Sequence, residues 1–460
     1  MRNWLPDISA SEGPLYLAIA DAIAHDVAMG ALTAGDRLPP QRQLAKLLGV
    51  DFTTVARGYV EASRRGLIES TVGRGSFVRG NAALHGKGDP RRGLNADFSM
   101  NMPPEPDDPE LIARMQDGMA SVSGDLLSLL RYQEFGGSPV DKEAASAWLS
   151  RRGLVPSQER IFVSPGAHPA LLAILSIIAK PGEVVLSEAI TYPGVRAIAA
   201  QLGLTLRGLQ MDADGILPDA LSEACRKLSP KALYLNPTLQ NPLTLTVSER
   251  RRTELCAVAR RHNLTIIEDD AYGFIPTHGP APLAAMAPDI CWHIGGLSKC
   301  IGAGLRIAYV VVPDSKAAWT YNGAMRAVSV MASPLMAALA TRWIEDGTAD
   351  GILRFIRSEA AARQRLAAQY FEPGTFFSDP LSFNIWLPLT RGWTRSAFIG
   401  HARSRGVGIV ASDAFTVEGP PTEAVRVGLG GPISRDTLRR GLEFMGHALE
   451  ASPELASAFF

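Results

Sequence analysis

Hydrophobic residues recur at helical spacing in three stretches near the start of the chain. PLYLAIADAIAHDVAMG and QRQLAKLLGV both show this period, and the second ends near Gly49. DFTTVARGYVEASRRGLI predicts a third helix, with Asp51 or Thr53 as its N-cap and Gly66 at its end. TVGRGSFVRG then alternates around a Gly-Arg-Gly tip, which suits a tight hairpin. Residues 13–80 therefore predict a small α+β domain of three helices and a β-ribbon.

The pattern changes twice after this domain. Residues 81–110 are rich in Gly, Pro and charge and lack apolar periodicity, so they predict a linker. From residue 111 to about 455, short apolar runs such as IFVSPG, EVVLSE, ALYLNP, LTIIEDD and CWHIGG alternate with helical stretches. This alternation predicts an α/β domain with a mainly parallel sheet, whose ligands bind at the carboxyl ends of the strands. The tail from about residue 351 mixes helices with shorter strands and predicts a smaller α+β subdomain.

Composition separates the two predicted domains further. The 460 residues are 46% hydrophobic with a formal net charge of +0, which predicts a large globular protein and argues against binding through overall charge alone. From Arg37 to Arg79, however, the sequence contains eight basic and three acidic residues, a local excess of positive charge that is typical of a nucleic-acid-binding unit. The four cysteines form no CxxC pair, so neither a disulfide framework nor a metal site is expected. Without a signal pattern or a long apolar run, we expect a cytoplasmic protein that binds no membrane.

The first domain is a candidate for reading DNA. The short turn between its second and third helices has helix-turn-helix spacing. The third helix is expected in the major groove, where Thr53, Thr54 and Arg57 would meet base edges or phosphates. Arg42 would approach the DNA backbone, and Arg74 at the hairpin tip the minor groove. A small helical domain with a solvated basic face explains the spacing equally well, because look-alikes are frequent.

The second domain contains a lysine in an unusual setting. GGLSKCIGAGLRIAYVV places Lys299 between glycines and an apolar run, and the adjacent Ser298 is a further candidate for cofactor binding. A lysine linked to pyridoxal phosphate needs an acid at the pyridine nitrogen, donors to the phenolate oxygen, a stacked ring and a phosphate cradle. Arg306 offers a guanidinium for the phosphate. SPGAH ends a predicted strand and opens a helix, so three main-chain amides would face an anion there: those of Gly166, Ala167 and His168.

The remaining parts of such a site follow other predicted strands. Asp269 could pair with the pyridine nitrogen, and Tyr272 and Asn241 could donate to the phenolate oxygen. Tyr192 could stack on the ring. Each residue alone has a commoner explanation, such as a surface lysine, a helix cap, a turn or a core aromatic. Their occurrence together, each after a predicted strand, favours a cofactor site over coincidence.

A known family shares the first of these patterns. GDRLPPQRQLAKLLGVDFTTVARGYVEASRRGLIESTVGRGSFV resembles the winged helix-turn-helix of GntR-family bacterial regulators, over about 70 residues in order. The resemblance implies promoter or operator double-stranded DNA as the partner. Phe52 stands where many relatives have a polar or basic residue, so no base preference is carried over.

The second domain resembles the fold-type I pyridoxal-phosphate enzymes of the aspartate aminotransferase group. This resemblance implies that Lys299 is the Schiff-base lysine and supports the roles given above. It also implies that Arg426, in AVRVGLGG, binds a substrate α-carboxylate, and that Tyr132, in RYQEFGG, reaches the phosphate of a neighbouring subunit in a homodimer. Two departures stand out: Asn241 lies in NPLT instead of NPTG, and Gly296 replaces a hydroxyl residue that many relatives use.

The two domains in this order resemble the MocR subfamily of GntR regulators. That resemblance implies a pyridoxal-phosphate-dependent transcription regulator that senses an amino acid or amine effector through external aldimine formation at Lys299. The alternative is a working aminotransferase with a DNA-binding appendage, in which Lys299 carries the proton at the substrate's α-carbon. A dimerisation scaffold without cofactor is the third possibility. Enzymatic turnover stays open, and no metal is expected.

Overall fold

The computed structural model describes residues 4–6, 14–28, 32, 36–65, 67–71, 75–78 and 97–453 of the chain. These residues fall into two compact units, one within Met1–Asn95 and the other within Ala96–Phe460. In the part of the chain that the structure describes, no helix is long and apolar enough to cross a membrane.

The N-terminal unit consists of three helices and a hairpin: α1 (Leu15–Ala28), α2 (Gln41–Leu48), α3 (Phe52–Arg64), β1 (Ile68–Thr71) and β2 (Gly75–Val78). Gly49 ends α2 in a left-handed conformation with φ 66°. Asp51 caps α3, because its carboxylate accepts the Thr53 N–H at 2.8 Å. Gly58 lets α3 approach α1, since a Cβ there would lie 3.0 Å from the Cβ of Ile19. Gly49 therefore fixes the end of α2 and Asp51 the start of α3, which leaves a short turn between the two helices.

The C-terminal unit begins with helices and a seven-stranded sheet. Its elements up to the last strand of that sheet are α4 (Pro109–Ser123), α5 (Leu126–Leu129), α6 (Pro139–Ser150), β3 (Ile161–Ser164), α7 (Ala167–Ile178), β4 (Val184–Glu188), α8 (Pro193–Gln201), β5 (Thr205–Leu209), β6 (Met211–Asp212), β7 (Gly215–Ile216), α9 (Pro218–Leu228), β8 (Ala232–Leu235), α10 (Glu249–Arg261), β9 (Thr265–Asp269), α11 (Leu283–Met286), β10 (Cys291–Gly296) and β11 (Ala308–Val311).

The strand order of the sheet is β3-β11-β10-β9-β8-β4-β5. Strands β5, β4, β8, β9 and β10 pair in parallel, whereas β11 runs antiparallel to β10 and to β3. Most of these strands are buried along their whole length, as expected for a sheet with helices on both faces. Their carboxyl ends meet at one edge of the sheet.

The rest of the C-terminal unit consists of α12 (Ser315–Ser329), α13 (Pro334–Glu345), α14 (Thr348–Ala367), β12 (Asn384–Pro388), α15 (Arg395–Ser404), β13 (Val410–Ala411), β14 (Ala424–Gly428) and α16 (Arg435–Glu450). Strands β12, β14 and β13 form an antiparallel sheet with its own hydrophobic core, which includes Ile385, Val425 and Leu438. This is the smaller α+β subdomain.

Residues 97–104, which we call the lead-in segment, lie against this subdomain. Phe98 is buried in its core. The Gly428 N–H donates to the Phe98 carbonyl at 2.7 Å, and the Gly431 N–H to the Pro103 carbonyl at 3.0 Å. These residues fall within the predicted linker 81–110, because a segment held through its main chain carries no apolar periodicity. In the structure, residues 97–104 are part of the C-terminal unit.

Candidate functional site

A cavity of about 430 Å³ opens at the carboxyl edge of the large sheet. Ten residues predicted from the sequence line it: Ala167, His168, Tyr192, Asn241, Asp269, Tyr272, Ser298, Lys299, Arg306 and Arg426. Parallel strands bring their carboxyl ends together, so residues far apart in sequence converge here.

One hairpin carries both Lys299 and Arg306. Strand β10 ends at Gly296 and β11 runs back antiparallel from Ala308, so the loop between them stays at the cavity edge. Burial lowers the pKa of Lys299 to about 8, and the positive charges of Arg426 and Arg306 add to this effect while Asp269 opposes it. Near neutral pH, Lys299 is therefore present as an uncharged, nucleophilic amine in more of the molecules than an exposed lysine would be.

Arg306 lies where α7 begins. A Cβ on Gly166 would be 3.1 Å from an Arg306 guanidinium nitrogen, and Gly166 has φ 104°, a conformation that favours glycine. The first amides of α7, at Ala167 and His168, have no helical partners upstream and lie at the positive end of the helix dipole. Burial and the neighbouring Arg306 lower the pKa of His168. This corner of the cavity suits a phosphate.

Asp269 ends β9 with one oxygen bonded and one free. Its Oδ2 accepts the Tyr234 hydroxyl at 2.8 Å, whereas its Oδ1 is buried and has no hydrogen-bond partner among the residues that the structure describes. Burial raises the pKa of Asp269 to about 6, and the bond from Tyr234 opposes that rise. A ligand that donates an N–H to Asp269 Oδ1 removes the free-energy cost of leaving this buried oxygen without a hydrogen bond.

The guanidinium of Arg426, on β14, is buried, and its hydrogen-bond acceptors among the described residues are neutral oxygen atoms and not a carboxylate. It donates to Asn241 Oδ1 at 3.0 Å and to the main-chain carbonyl of Ser99, and it lies over the Phe415 ring at 4.9 Å. Its Nε has no partner within the described part of the chain. Such an arrangement favours a carboxylate ligand, because a carboxylate forms charge-assisted bonds that a carbonyl cannot.

Two aromatic residues complete the cavity. Tyr192 is the N-cap of α8, and a Cβ on Gly194 would lie 2.2 Å from its ring, so the glycine gives the ring room. The Tyr272 hydroxyl accepts the Asn101 side-chain amide at 2.8 Å. Burial raises the pKa of Tyr272, so its hydroxyl stays protonated and can donate.

Sequence reasoning missed a buried hydrogen-bond network behind these residues, centred on Asn236. The Asn236 N–H donates to Glu188 at 2.8 Å, its side-chain amide donates to the Asp269 carbonyl at 2.5 Å, and its side-chain oxygen accepts the Asn241 N–H at 3.0 Å. Glu188 also accepts the Thr191 hydroxyl at 2.6 Å. The network therefore ties together the loops after β4, β8 and β9. The Asn-Pro pair at Asn236 resembles the one at Asn241 and was the available signal.

The lead-in segment was also missed as part of the site. The Lys299 amine donates to the Asn101 carbonyl, and the Asn101 side chain reaches both Tyr272 and, at 3.1 Å, Asn384. Main-chain contacts of this kind leave no mark in a sequence. Tyr132, in contrast, is 81% exposed and does not line the cavity of its own chain, so its role toward a neighbouring subunit stays a prediction.

The predicted DNA-contacting residues belong to the N-terminal unit. Arg42 and Arg57 are exposed and lie over the rings of Phe52, at 5.9 Å, and Tyr16, at 5.6 Å. Thr53 is exposed, but its hydroxyl donates to the capping carboxylate of Asp51, and Thr54 is half-buried. Arg74 lies outside the described residues. Contacts of these residues with DNA remain predictions.

The cavity fits pyridoxal phosphate. An amine of lowered pKa, an acid with a free buried oxygen and a guanidinium at a helix N-terminus are the groups this cofactor requires. The fold is that of the pyridoxal-phosphate-dependent aminotransferases. The chain belongs to the aminotransferase class I and II family, whose model matches residues 96–374, and residues 15–78 match the gntR family of bacterial regulatory proteins. This pairing of domains is the MocR architecture expected from the sequence.

Similar proteins include both regulators and an enzyme. The chain is 29% identical to YdeF of Bacillus subtilis (strain 168), a transcriptional regulator of the helix-turn-helix type, over 97% of either chain. It is 28% identical to PtsJ of Salmonella typhimurium, a vitamin B6 salvage pathway transcriptional repressor, over 89% of this chain and 93% of that one. An archaeal alanine:glyoxylate aminotransferase of known structure shares the fold, with a TM-score of 0.71 and 24% identity over 78% of this chain and 92% of that one.

Proposed function

We propose that this protein is a homodimeric transcription regulator that binds promoter DNA through its GntR domain and responds to an amino acid or amine at the Lys299 site. The observation that carries the proposal is the complete set of cofactor-binding groups around Lys299 in a chain that also has a GntR domain. The similarity to YdeF, a transcriptional regulator, and to PtsJ, a transcriptional repressor, supports the regulatory part.

Each side chain has a stated task in this proposal. Pyridoxal phosphate, when bound, supplies an aldehyde that condenses with primary amines and a ring that withdraws electrons. Asp269 holds a proton at the pyridine nitrogen, and Arg306 with the first amides of α7 binds the phosphate. Asn241 and Tyr272 orient the phenolate oxygen, and Tyr192 stacks on the ring. Arg426 binds the carboxylate of the ligand.

The cofactor part is tested by absorption spectroscopy. Incubation with pyridoxal phosphate should turn the purified protein yellow, and borohydride should reduce the C=N bond, which removes the yellow colour and leaves the cofactor covalently fixed to the chain. Lys299→Ala should lose this fixation, whereas Lys316→Ala, which removes an exposed lysine, should keep it. A wild-type protein that stays colourless would contradict the proposal.

The regulatory part is tested with DNA that the protein itself selects from a random pool. The yellow protein is screened with the common amino acids and simple amines for a change of its spectrum. A compound that changes the spectrum should also change the affinity for the selected DNA, because a ligand shifts an equilibrium only if it distinguishes the two states. A spectral change without any change in DNA affinity would remove the regulatory function.

A working aminotransferase is the second candidate. Lys299 with a pKa of about 8 lies in the same cavity as Asp269 and Arg426, which is the equipment that proton transfer at an α-carbon requires. Steady conversion of an amino acid to its oxo acid in the presence of a second oxo acid would favour this function. A single turnover followed by arrest would favour the regulator.

A further inference from the structure

The lead-in segment, residues 97–104, holds two groups of the site through its main chain. The Ser99 carbonyl accepts from Arg426, and the Asn101 carbonyl accepts from Lys299. The Asn101 side chain is buried and donates to Tyr272 at 2.8 Å and to Asn384 at 3.1 Å. The same short segment therefore contacts the proposed carboxylate-binding residue and the proposed amine-bearing residue.

The seat of this segment is a glycine-rich surface of the small subdomain. A Cβ on Gly430 would lie 1.7 Å from the Met102 carbonyl, and one on Gly428 would lie 2.6 Å from the Met100 carbonyl. The N–H groups of Gly428 and Gly431 donate to Phe98 and Pro103. The segment is held by main-chain bonds to a surface that only glycine can provide, so its seating depends on a few identifiable contacts.

A ligand carboxylate at Arg426 competes with the Ser99 carbonyl. The guanidinium binds a carboxylate more strongly than a neutral carbonyl, because both partners are then charged. The Lys299 amine cannot donate in this way to the Asn101 carbonyl while it is bonded to pyridoxal phosphate, and an amino acid that takes over the cofactor frees the amine again. Ligand binding therefore changes both contacts that hold the lead-in segment in the form described here.

We infer that the lead-in segment is the element that transmits ligand occupancy toward the DNA-binding unit. In sequence, residues 97–104 follow the unit Met1–Asn95 after Ala96, so the lead-in segment is the part of the site nearest to the DNA-binding unit along the chain. The inference rests on the proposed function and names the route by which that function works.

Amide hydrogen exchange of the full chain measures the seating directly. The amides of Gly428 and Gly431 report on the segment, because their acceptors are its carbonyls. The protein is loaded with pyridoxal phosphate, and exchange is compared with and without an amino acid. L-Alanine is used first, followed by the amino acid that changes the absorption spectrum most in the screen. We expect exchange at both amides to accelerate at least severalfold when the amino acid is present.

The outcomes separate this inference from the proposed function. If the amino acid changes the spectrum and the DNA affinity but leaves both exchange rates unchanged, the lead-in segment is not the transmitter and the proposed function stands. If no amino acid or amine changes the spectrum, or if the spectrum changes without the DNA affinity, the proposed function itself fails. Faster exchange together with altered DNA affinity supports the inference.

Variants test the segment from two sides. Asn101→Ala removes its contacts with Tyr272 and Asn384, and Gly430→Ala pushes it off the glycine surface from outside the cavity. In each variant we expect fast exchange without ligand and loss of the amino-acid-dependent change in DNA affinity. Glu105→Ala, an exposed neighbour just beyond the segment, should respond like the wild type. Two variants that keep the full response would overturn the inference.

Discussion

Glu188 offers a quantitative test of the network behind the site. Its buried carboxylate accepts two hydrogen bonds, from the Asn236 N–H and the Thr191 hydroxyl, and no Lys, Arg or His side chain in the described ranges pairs with it. Glu188→Gln keeps the shape of the side chain: its oxygen can accept from Asn236 and its amide can donate to the Thr191 hydroxyl. The substitution therefore removes the charge and keeps the contacts.

The magnitude follows from the shift in pKa. Burial raises the pKa of Glu188 from 4.5 to about 7, against the opposing effect of its two hydrogen bonds. Between these pH values the unfolded chain releases a proton that the folded chain retains, so the free energy of unfolding falls as the pH rises. At about 1.4 kcal/mol per pH unit, the free energy of unfolding falls by roughly 3 kcal/mol in total. This loss is absent below pH 4.5 and complete above pH 7.

The assay is urea unfolding of the cofactor-free protein at several pH values between about 4.5 and 7.5, followed by circular dichroism. The wild type should lose about 3 kcal/mol more than Glu188→Gln across this interval, because only the wild type carries the titrating group. Glu159→Gln, at an exposed position, should follow the wild type. Parallel pH profiles for wild type and Glu188→Gln would refute the reasoning.

Three further predictions concern other parts of the chain. Arg57→Ala should weaken DNA binding and lower by about one the slope of log affinity against log salt concentration. Arg64→Ala removes a guanidinium that is already paired with a glutamate at 2.8 Å, so it should leave affinity and slope unchanged. Equal slopes for the two variants would contradict the placement of α3. The rate at which pyridoxal phosphate colours the protein should rise with pH up to about 8 and then level off, since the neutral Lys299 amine reacts, and a flat profile would contradict this. Gly58→Ala should destabilise the N-terminal unit by about 1–3 kcal/mol, measured by thermal melting of that unit, because its Cβ meets Ile19 at 3.0 Å; unchanged melting would argue against close packing there.

The convergence of the cavity residues was predictable because it depends on strand order alone. Asp269 ends β9 and Tyr192 follows β4, and parallel strands place such residues at one edge whatever their separation in sequence. Lys299 and Arg306 are seven residues apart, so a reversal of the chain between them is enough to bring both side chains to the cavity. The position of these side chains at one edge of the sheet was thus predictable from the sequence.

The missed contacts depend on tertiary pairing or on the main chain. Ser99 meets Arg426 through its carbonyl across 327 residues, and any residue type could supply that atom. Asn236 makes three hydrogen bonds, to the end of β4, to the end of β9 and within its own loop, and the neighbouring sequence does not indicate this role. The linker prediction for residues 97–104 differed from the structure for the same reason, since main-chain seating on glycines has no hydrophobic signature.

The hairpin between β10 and β11 has a consequence for the lifetime of a signal. It carries Lys299 and Arg306 on the large sheet, whereas Arg426 belongs to the small subdomain. The groups proposed to retain the cofactor and the group proposed to retain the ligand's carboxylate thus sit on separate pieces of the fold. In the proposed function, the ligand leaves when the Lys299 amine takes the cofactor back, while Arg306 keeps the phosphate throughout. The proposed response then ends with a single exchange between the ligand's amine and Lys299.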